Sequence, residues 1–480
     1  MENGVMIQYF EWNLPADAKH WKRLKEDAEH LHEIGINAVW IPPATKGTSI
    51  NDVGYGAYDL YDLGEFNQKG IISTKYGTKQ ELKEAIAELH KYKISVYLDV
   101  VMNHKAGADG LEKFMAQEVD SSDRNKTVSD PYEIEGWTSF TFPGRNNKYS
   151  DFKWHWYHFN GTDFNNINKK NAIYKILGEG KAWDLGVDDE NGNYDYLMFA
   201  NIDYTHPEVI SEMQKWGAWV AKELNLDGFR LDAIKHINDK FIEHFLEYVR
   251  KNYREEFYAV GEYWKGDLNS ITEYLSNVNY KADLFDVPLH YNFFQASKNG
   301  SAYDLRNIFN DSLVANNKFC AVPFVDNHDS QWGSALESQV ESWFKPLAYA
   351  LILLIKDGYP CVFYGDYYGV GGEESPHRWV IEKLLYARKL FAYGEQINYF
   401  DDPNLIAIVR TGSEEHPNSG LVLLISNHLD ASKKINIGQE HANEVWHEIT
   451  DNITDEITID ENGEGEFLVN AGKAVVWVKK

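Results

Sequence analysis

Short apolar segments alternate with longer amphipathic segments over the first 395 residues of the chain. Eight short segments have the length and continuous apolar character of buried parallel strands, and most stretches between them place apolar residues at helical spacing. The strand candidates are residues 5–9, 38–41, 95–101, 228–231, 258–260, 284–287, 321–325 and 361–364. The helix candidates include residues 21–34, 80–92, 207–224, 240–253 and 336–355. This pattern predicts a parallel sheet covered by helices.

Eight strand–helix repeats are typical of a closed (β/α)8 barrel, the TIM barrel of the α/β class. An open, doubly wound sheet is the alternative, but no glycine-rich phosphate-binding loop follows the first strand candidate. We therefore predict a catalytic barrel formed by residues 1–104 and 206–395.

Two regions depart from this alternation. Residues 105–205, after the third strand candidate, are too many for one loop and are rich in Asp, Asn, Gly and Trp. They predict an inserted, β-rich, metal-binding domain. After residue 395, short strand candidates are separated by turn residues, at 405–410, 420–426, 444–448, 456–459 and 474–478. Residues 396–480 therefore predict a C-terminal all-β sandwich.

The composition narrows the classes of partner. The chain has 74 acidic and 47 basic residues, a formal net charge of −27, which repels nucleic acid and anionic lipid. The longest apolar run, residues 346–355, is about half the length that a membrane span needs. Aromatic residues make up 14% of the chain. They would suit a sugar-binding cleft, although a large aromatic core would explain them equally well.

Cysteine usage and the first residues bear on location. Cys320 and Cys361 are the only cysteines, so no disulfide framework is required. The chain starts at Met1 without the basic and apolar segments of a signal peptide. We expect a cytoplasmic protein, although a secreted protein whose leader had been removed would look the same. A monomer is the default expectation.

Polar side chains follow four of the strand candidates. In a barrel the C-terminal ends of the strands meet on one rim, where active sites lie. The residues at these positions are Asn103, His104, Arg230, Asp232, Glu262, His328 and Asp329. A single acid at a strand end is usually a helix cap or a surface charge. Several acids at separate ends of one barrel indicate a catalytic site.

Glycoside hydrolysis uses two carboxyl groups, one that protonates the leaving oxygen and one that attacks the anomeric carbon or activates water. A third acid can raise the pKa of the proton donor through like-charge repulsion. Arg230 lies two residues before Asp232, so both side chains lie on one face of a strand. The guanidinium would keep that carboxylate ionised as a nucleophile. A buried structural salt bridge is the alternative interpretation.

Four segments in this order, residues 99–104, 228–236, 261–264 and 324–329, resemble the signature regions of the α-amylase family of glycoside hydrolases. Further segments are similar to the bacterial liquefying α-amylases: residues 6–12, 40–49, 52–70, 150–158 and 358–369. The resemblance covers nearly the whole chain. It implies endo-hydrolysis of α-1,4-glucosidic bonds in starch, glycogen or maltodextrins by a retaining double displacement.

The resemblance also implies residue roles. Asp232 would be the nucleophile, Glu262 the general acid/base, and Asp329 the third acid, which stabilises the transition state. Seven further residues would bind the substrate: Tyr55, His104, Arg230, Lys235, His236, Trp264 and His328. Tyr55 would stack beneath the sugar at the cleaved bond, and a barrel-packing role is its alternative.

Two other functions remain open on the sequence. Related enzymes on the same scaffold transfer the glucosyl unit to another sugar, so a transglycosylase acting on α-glucans is one alternative. A non-catalytic glucan-binding protein is the alternative of another class. Such proteins usually lose a catalytic acid, whereas Asp232, Glu262 and Asp329 fill all three positions.

The resemblance implies calcium at the junction between the barrel and the inserted domain. Its ligands would include Asn103, Asp195, Asn201 and the carbonyl oxygen of His236, and a second cluster would include Asn160, Asp184, Asp203 and Thr205.

The sequence departs from the calcium-rich members at these positions. Asn160, Asn201 and Thr205 stand where those members carry aspartates, and each replacement removes a negative charge from a hard-cation site. Asn404 and Asn427 weaken a further site expected in the C-terminal domain. We expect one weakly bound calcium, sodium in its place, or no metal.

Overall fold

The computed structural model describes residues 3–480, and its centre is a parallel eight-stranded sheet. We number these strands β1 to β8 in chain order: Met6–Gln8, Ala38–Ile41, Ser95–Val100, Gly228–Leu231, Tyr258–Gly261, Asp283–Phe285, Ala321–Val322 and Cys361–Phe363. Each strand pairs with its neighbour in this order, and β1 pairs with β8. A parallel bridge between Phe324 and Cys361 joins the chain after β7 to β8. The sheet therefore closes, and the predicted barrel is confirmed.

Helices surround the sheet, which explains why the strands are apolar on both faces. The α-helices are His20–Glu33, Lys79–Lys91, Pro207–Leu224, Asp239–Asn252, Leu268–Asn277, Val287–Asn299, Leu313–Asn316, Lys345–Leu354, Tyr364–Tyr367 and Arg378–Leu390. Most of the long helices bury one face; Asp239–Asn252, for example, buries Phe241, Phe245 and Val249 at four-residue spacing. Lys345–Leu354 is instead buried on all sides. Among the described residues, no helix combines the length and the apolarity needed to cross a membrane.

The helix predicted at residues 336–355 begins only at Lys345, so the prediction for its first part is wrong. Pro346 lies in the first turn of the observed helix, where its missing N–H is tolerated. If the helix began earlier, the proline ring would meet the carbonyl of Ser342. Residues 336–344 instead form part of the loop between β7 and this helix.

Five barrel strands, β1, β3, β6, β7 and β8, are shorter than predicted, and two of them have a clear local reason. β6 ends at Phe285 because the Asp286 side chain accepts the Leu289 N–H and starts the next helix. β7 ends at Val322 because Pro323 has no N–H to give to a ladder.

Residues between β3 and β4 form a six-stranded antiparallel sheet, as expected of a β-rich insertion. Its strands are His104–Lys105, Gly110–Val119, Tyr132–Ser139, Phe159–Asn165, Lys170–Ile176 and Ala200–Ile202. His104 pairs with Asn201, so the first and last strands of this sheet meet directly beyond the end of β3. This pairing places the end of the insertion at the barrel rim.

The C-terminal region is all-β, as predicted. One sheet has six strands: Gln396–Tyr399, Leu405–Arg410, Leu421–Ser426, Val445–Glu448, Ile457–Thr458 and Ala474–Lys479. A second sheet pairs Ala431–Asn436 with Glu464–Val469. These two strands and Gln396–Tyr399 were not predicted from the sequence. Only Ile435 is buried in Ala431–Asn436, so the apolar signal of that strand is weak. Phe467 and Trp477, one from each sheet, share a core separate from that of the barrel.

Candidate active site

A buried arginine on β4 connects the acids of the barrel rim. Arg230 lies in register with Asp99 on β3, and its Nη1 is 3.0 Å from Asp99 Oδ1. The same nitrogen is 2.6 Å from Asp232 Oδ1, and Nη2 is 2.9 Å from Glu262 Oε2. The arginine side chain is 0% exposed. One guanidinium therefore contacts three carboxyl groups from three neighbouring strands.

Burial opposes ionisation of all of these acids together. Burial raises the pKa of Asp232 to about 6, despite the opposing effect of Arg230. Burial also raises the pKa of Glu262, and it raises that of Asp329 well above its usual range with help from the charge of Glu262. Asp232, Glu262 and Asp329 line the same pocket. Three buried carboxyl groups on one guanidinium, with the partly exposed Asp329 beside them, favour keeping a proton among them, as a general acid requires.

Asp99 belongs to this centre, although the sequence analysis gave it no role. Its Oδ2 accepts hydrogen bonds from Trp40 Nε1 at 3.0 Å and from Tyr55 Oη at 2.9 Å. Both donors and Arg230 hold Asp99 in place, so its oxygens face away from a substrate. The sequence shows that Asp99 lies on the strand candidate before that of Arg230. It does not show that the two residues lie opposite each other, which depends on the register of β3 and β4.

The three acids open into a pocket of about 220 Å³ with an aromatic wall. Its lining includes Asp232, Glu262, Asp329, Trp12, Tyr55, His104, Lys235, His236, Trp264 and His328. The Tyr55 ring lies parallel to that of His328, with centroids 5.2 Å apart, and nearly parallel to Trp12 at 5.8 Å. A larger groove of about 430 Å³ lies between residues 337–342 and 369–377, but none of the three acids lines it.

His328 presents an unused N–H beside the acids. Its Nδ1 is 3.0 Å from Gln8 Nε2, so Nδ1 accepts and the proton resides on Nε2. Burial and the charge of Arg230 hold the pKa of His328 well below its usual range, so the ring is neutral. Nε2 is buried, has no hydrogen-bond partner among residues 3–480 and lies 3.3 Å from Asp329 Oδ2. It can donate to a sugar hydroxyl.

His104 is placed at the pocket, but the protein already uses both of its ring nitrogens. Nε2 donates to the Tyr55 carbonyl at 2.8 Å, and Nδ1 accepts from Asn103 Nδ2 at 3.2 Å. A direct hydrogen bond from His104 to a sugar would require one of these bonds to be exchanged. In this structure the ring also supports the backbone of Tyr55.

The remaining predicted substrate residues lie together on one side of the pocket. Lys235 Nζ donates to Glu190 at 2.9 Å and to the Trp264 carbonyl at 3.1 Å. His236 Nδ1 donates to the Tyr194 carbonyl at 2.7 Å, which leaves Nε2 available as an acceptor. Tyr194 lines the pocket and was not among the predicted residues.

The first set of predicted metal ligands forms a network of amides around Asp195. Asp195 Oδ2 accepts Asn160 Nδ2 at 2.6 Å and the Asp184 N–H at 2.7 Å, and Oδ1 accepts Asn201 Nδ2 at 2.8 Å. Asn103 Nδ2 donates to Asn201 Oδ1 at 3.3 Å. Calcium requires six to eight oxygen ligands. Here N–H groups face the carboxylate, so this set does not fit a divalent cation.

The acids of the second predicted metal cluster, Asp184 and Asp203, also accept hydrogen bonds from the protein itself. Asp203 Oδ2 lies 2.6 Å from Lys181 Nζ, and Oδ1 accepts the N–H of Thr205 at 3.0 Å. Asp184 Oδ1 accepts Asn238 Nδ2 at 2.6 Å, whereas Asp184 Oδ2 is buried without a partner among the described residues. This oxygen is the one remaining acceptor on these acids that a cation could approach.

The two asparagines at the further metal site expected in the C-terminal domain are also hydrogen-bonded within the protein. Asn404 Nδ2 donates to Asn427 Oδ1 at 2.8 Å, and Asn427 Nδ2 donates to the carbonyls of Gly300 and Tyr303 at 3.0 and 2.8 Å. The two asparagines thereby link this region directly to the barrel.

Within the described part of the chain, one group of three ligating side chains does lie within reach of a single ion: His158, His206 and Glu208. His158 Nδ1 accepts the N–H of His155 at 3.0 Å, so Nε2 carries the proton and donates to Glu208 at 3.3 Å. A protonated nitrogen has no lone pair for a metal. The group is therefore a hydrogen-bonded pair next to a second histidine, and the sequence analysis did not identify it.

A closed barrel whose C-terminal rim gathers three carboxyl groups in an aromatic pocket is the active-site architecture of a glycoside hydrolase. The family model of the α-amylase catalytic domain matches residues 20–404. The chain belongs to the α-amylase family.

Individual relatives agree with this assignment. An α-amylase of Bacillus licheniformis is 52% identical over 482 residues, which cover 100% of this chain and 94% of that protein. A cytoplasmic α-amylase of Escherichia coli (strain K12) is 44% identical over 492 residues, covering 100% and 99%. Among solved structures, the α-amylase of Geobacillus thermoleovorans complexed with acarbose matches with a TM-score of 0.66 and 18% identity, covering 100% and 98%. The chain is thus similar to bacterial α-amylases of the liquefying type.

Proposed function

We propose that the protein is a retaining endo-α-amylase that hydrolyses internal α-1,4-glucosidic bonds in starch, glycogen or maltodextrins. The observation that carries this proposal is the contact of adjacent nitrogens of Arg230 with Asp232 and Glu262. Two carboxyl groups held by one guanidinium are close enough to act on the same glycosidic bond, as a retaining mechanism requires.

In the proposed reaction, Asp232 attacks the anomeric carbon while Glu262 protonates the leaving glycosidic oxygen. The bond between carbon and leaving oxygen breaks, and a covalent β-glucosyl ester forms on Asp232. Glu262, now ionised, then takes a proton from a water molecule whose oxygen attacks the anomeric carbon. The ester bond to Asp232 breaks, the Asp232 carboxylate is released, and the product is the α-anomer. Arg230 keeps Asp232 ionised before the attack.

Asp329 and the aromatic wall position the sugar in this scheme. Asp329 accepts hydroxyl hydrogen bonds and, by its negative charge, favours the protonated form of Glu262. His328 Nε2 donates to a hydroxyl group, and the ring of Tyr55 packs against the sugar face. Lys235, His236 and Trp264 line the side on which the leaving group departs.

The test compares two substrates that differ in their need for an acid. Glu262→Gln should lower the rate on starch by about 10²–10⁴-fold. The same variant should lose much less on α-maltosyl fluoride, because fluoride leaves without protonation. Glu256→Gln, an exposed acid just before β5, is the matched control and should hydrolyse both substrates like the wild type. Near-wild-type hydrolysis of starch by Glu262→Gln would overturn the assignment.

Product analysis separates hydrolysis from glucosyl transfer. With maltoheptaose and an excess of a labelled acceptor sugar, we expect shorter maltodextrins and little label in the products. Predominant incorporation of the acceptor would make the protein a transglycosylase acting on α-glucans.

We further propose a cytoplasmic location, a monomeric state and, of the two cations that the sequence left open, weak binding of sodium rather than calcium. The E. coli relative is described as cytoplasmic, and the α-amylase family commonly binds calcium. The neutral residues Asn160, Asn201 and Thr205 support weak cation binding, because they remove charge from the site. Fractionation of the source cells with an antibody to the protein tests the location, and light scattering tests for a 55.4 kDa particle.

A further inference from the structure

The acids at the junction between the barrel and the inserted sheet have hydrogen-bond and charge partners from within the chain. We infer that the ammonium group of Lys181 and the side-chain amides of Asn160 and Asn201 take the place of a divalent cation there, so that the fold does not depend on calcium. This inference rests on membership of the α-amylase family and is independent of the catalytic roles proposed above.

Lys181 provides the positive charge. Its side chain is 5% exposed, and Nζ lies 2.6 Å from Asp203 Oδ2, whose side chain is 2% exposed. The same nitrogen donates to the carbonyl of Tyr157. A buried carboxylate needs a charge partner and hydrogen bonds, and this ammonium supplies the charge while Thr205 and the backbone occupy the other oxygen.

The hydrogen bonds fix which way each amide faces. Asn160 Nδ2 lies near Asp195 Oδ2 and the Ala182 carbonyl, and the carbonyl can only accept, which fixes Nδ2 on this side. Its Oδ1 must then face Asn201, whose Nδ2 donates to it at 2.8 Å and to Asp195 Oδ1 at 2.8 Å. Both amides therefore present N–H groups to Asp195, which is the polarity opposite to that of a metal ligand.

One acceptor is left over. Asp184 Oδ2 is buried and has no partner within the described residues. A single oxygen can accept a water molecule or contact a sodium ion, but it does not supply the six to eight oxygens of a calcium site. These contacts predict that monovalent ions change the stability of the fold only slightly and that calcium does not change it.

Thermal unfolding of the full chain provides a direct test, because its readout does not depend on activity. After dialysis against EDTA, the melting temperature should change by less than about 1 °C on addition of millimolar calcium, since a ligand that does not bind the folded state cannot stabilise it. A fall of several degrees in EDTA that calcium restores would overturn the inference. Absence of starch hydrolysis both with and without calcium, at an unchanged melting temperature, would count against the proposed function instead.

A variant that introduces the missing aspartates tests the inference from the other direction. The triple variant Asn160→Asp, Asn201→Asp, Thr205→Asp places additional carboxylates around Asp195 and Asp203. It should melt below the wild type in EDTA and gain several degrees on addition of calcium. A triple variant that is indifferent to calcium and as stable as the wild type would contradict the claim that the amides replace a cation.

Lys181→Met removes the ammonium and keeps the length of the side chain. We expect a lower melting temperature than in Lys113→Met, which removes an exposed ion-pair partner of Glu133 on the same sheet. Equal melting temperatures for the two lysine variants would exclude a role for Lys181. If Lys181→Met does not fold, the wild-type and triple-variant measurements still decide the question.

Discussion

Substitution of Arg230 by lysine tests the centre on which the proposed chemistry depends. The guanidinium uses two nitrogens to contact Asp99, Asp232 and Glu262 within 3.0 Å, and no part of the side chain is exposed. Arg230→Lys keeps the positive charge but replaces a planar fork by a single donor atom. The lysine is also shorter, so it cannot contact all three carboxyl groups in the same geometry.

The magnitude follows from the number of charged hydrogen bonds that are lost. A hydrogen bond to a charged group contributes about 1.5–3 kcal/mol. Loss of the bond from Arg230 Nη1 to Asp232 Oδ1 in the transition state lowers kcat/KM by about 10- to 150-fold. Weaker stabilisation of ionised Asp232 also raises its pKa further, so the acid limb of the pH–rate profile should move to higher pH.

The assay is kcat/KM for a chromogenic maltoheptaoside from pH 4 to 9. For the wild type we expect activity to fall as the pH drops through about 6, because burial raises the pKa of Asp232 to that value and attack requires the ionised form. Arg250→Lys is the control, since Arg250 donates to the carbonyls of Phe257 and Lys281, away from the pocket. A lysine variant at position 230 with unchanged rate and pH profile would refute the reasoning.

Two further predictions concern single hydrogen-bonding groups. Tyr55→Phe keeps the ring stacked on His328 but removes the hydroxyl that donates to Asp99. We expect kcat/KM to fall by about fivefold. Loss of all activity would show that the hydroxyl does more than support Asp99. Asp286→Ala removes the acceptor of the N–H groups of Leu289, Leu313 and Val314. The free energy of unfolding measured in urea should fall by about 2–4 kcal/mol, and kcat should not change. An unchanged urea midpoint would contradict that estimate.

The barrel could be predicted from the sequence because its strands are buried on both faces. All eight apolar segments correspond to barrel strands, and their carboxyl ends brought Asp232, Glu262 and Asp329 onto one rim. Elements with few buried residues were harder to find, as the C-terminal strand around Ile435 shows. The start of the helix at Lys345 depended on one proline inside a long apolar segment, which periodicity alone does not resolve.

The parts of the site that could not be predicted depend on distances between remote residues. The contact of Asp99 with Arg230 follows from the register of β3 and β4, which leaves no trace in either segment alone. The sequence shows that Asn160 and Asn201 are neutral, but not that their N–H groups face Asp195. Lys181 is 22 residues from Asp203, and only the folded insertion brings the two charges together.

The most direct test of the central claim is to trap the covalent intermediate. A 5-fluoro-α-glucosyl fluoride, extended by maltosyl units to fill the pocket, should react once and leave a sugar attached to the enzyme. Peptide mass spectrometry should locate that sugar on Asp232, and the Glu262→Gln variant should still form the adduct because fluoride needs no acid. A sugar attached to Glu262 or Asp329, or products released first as the β-anomer, would contradict the account.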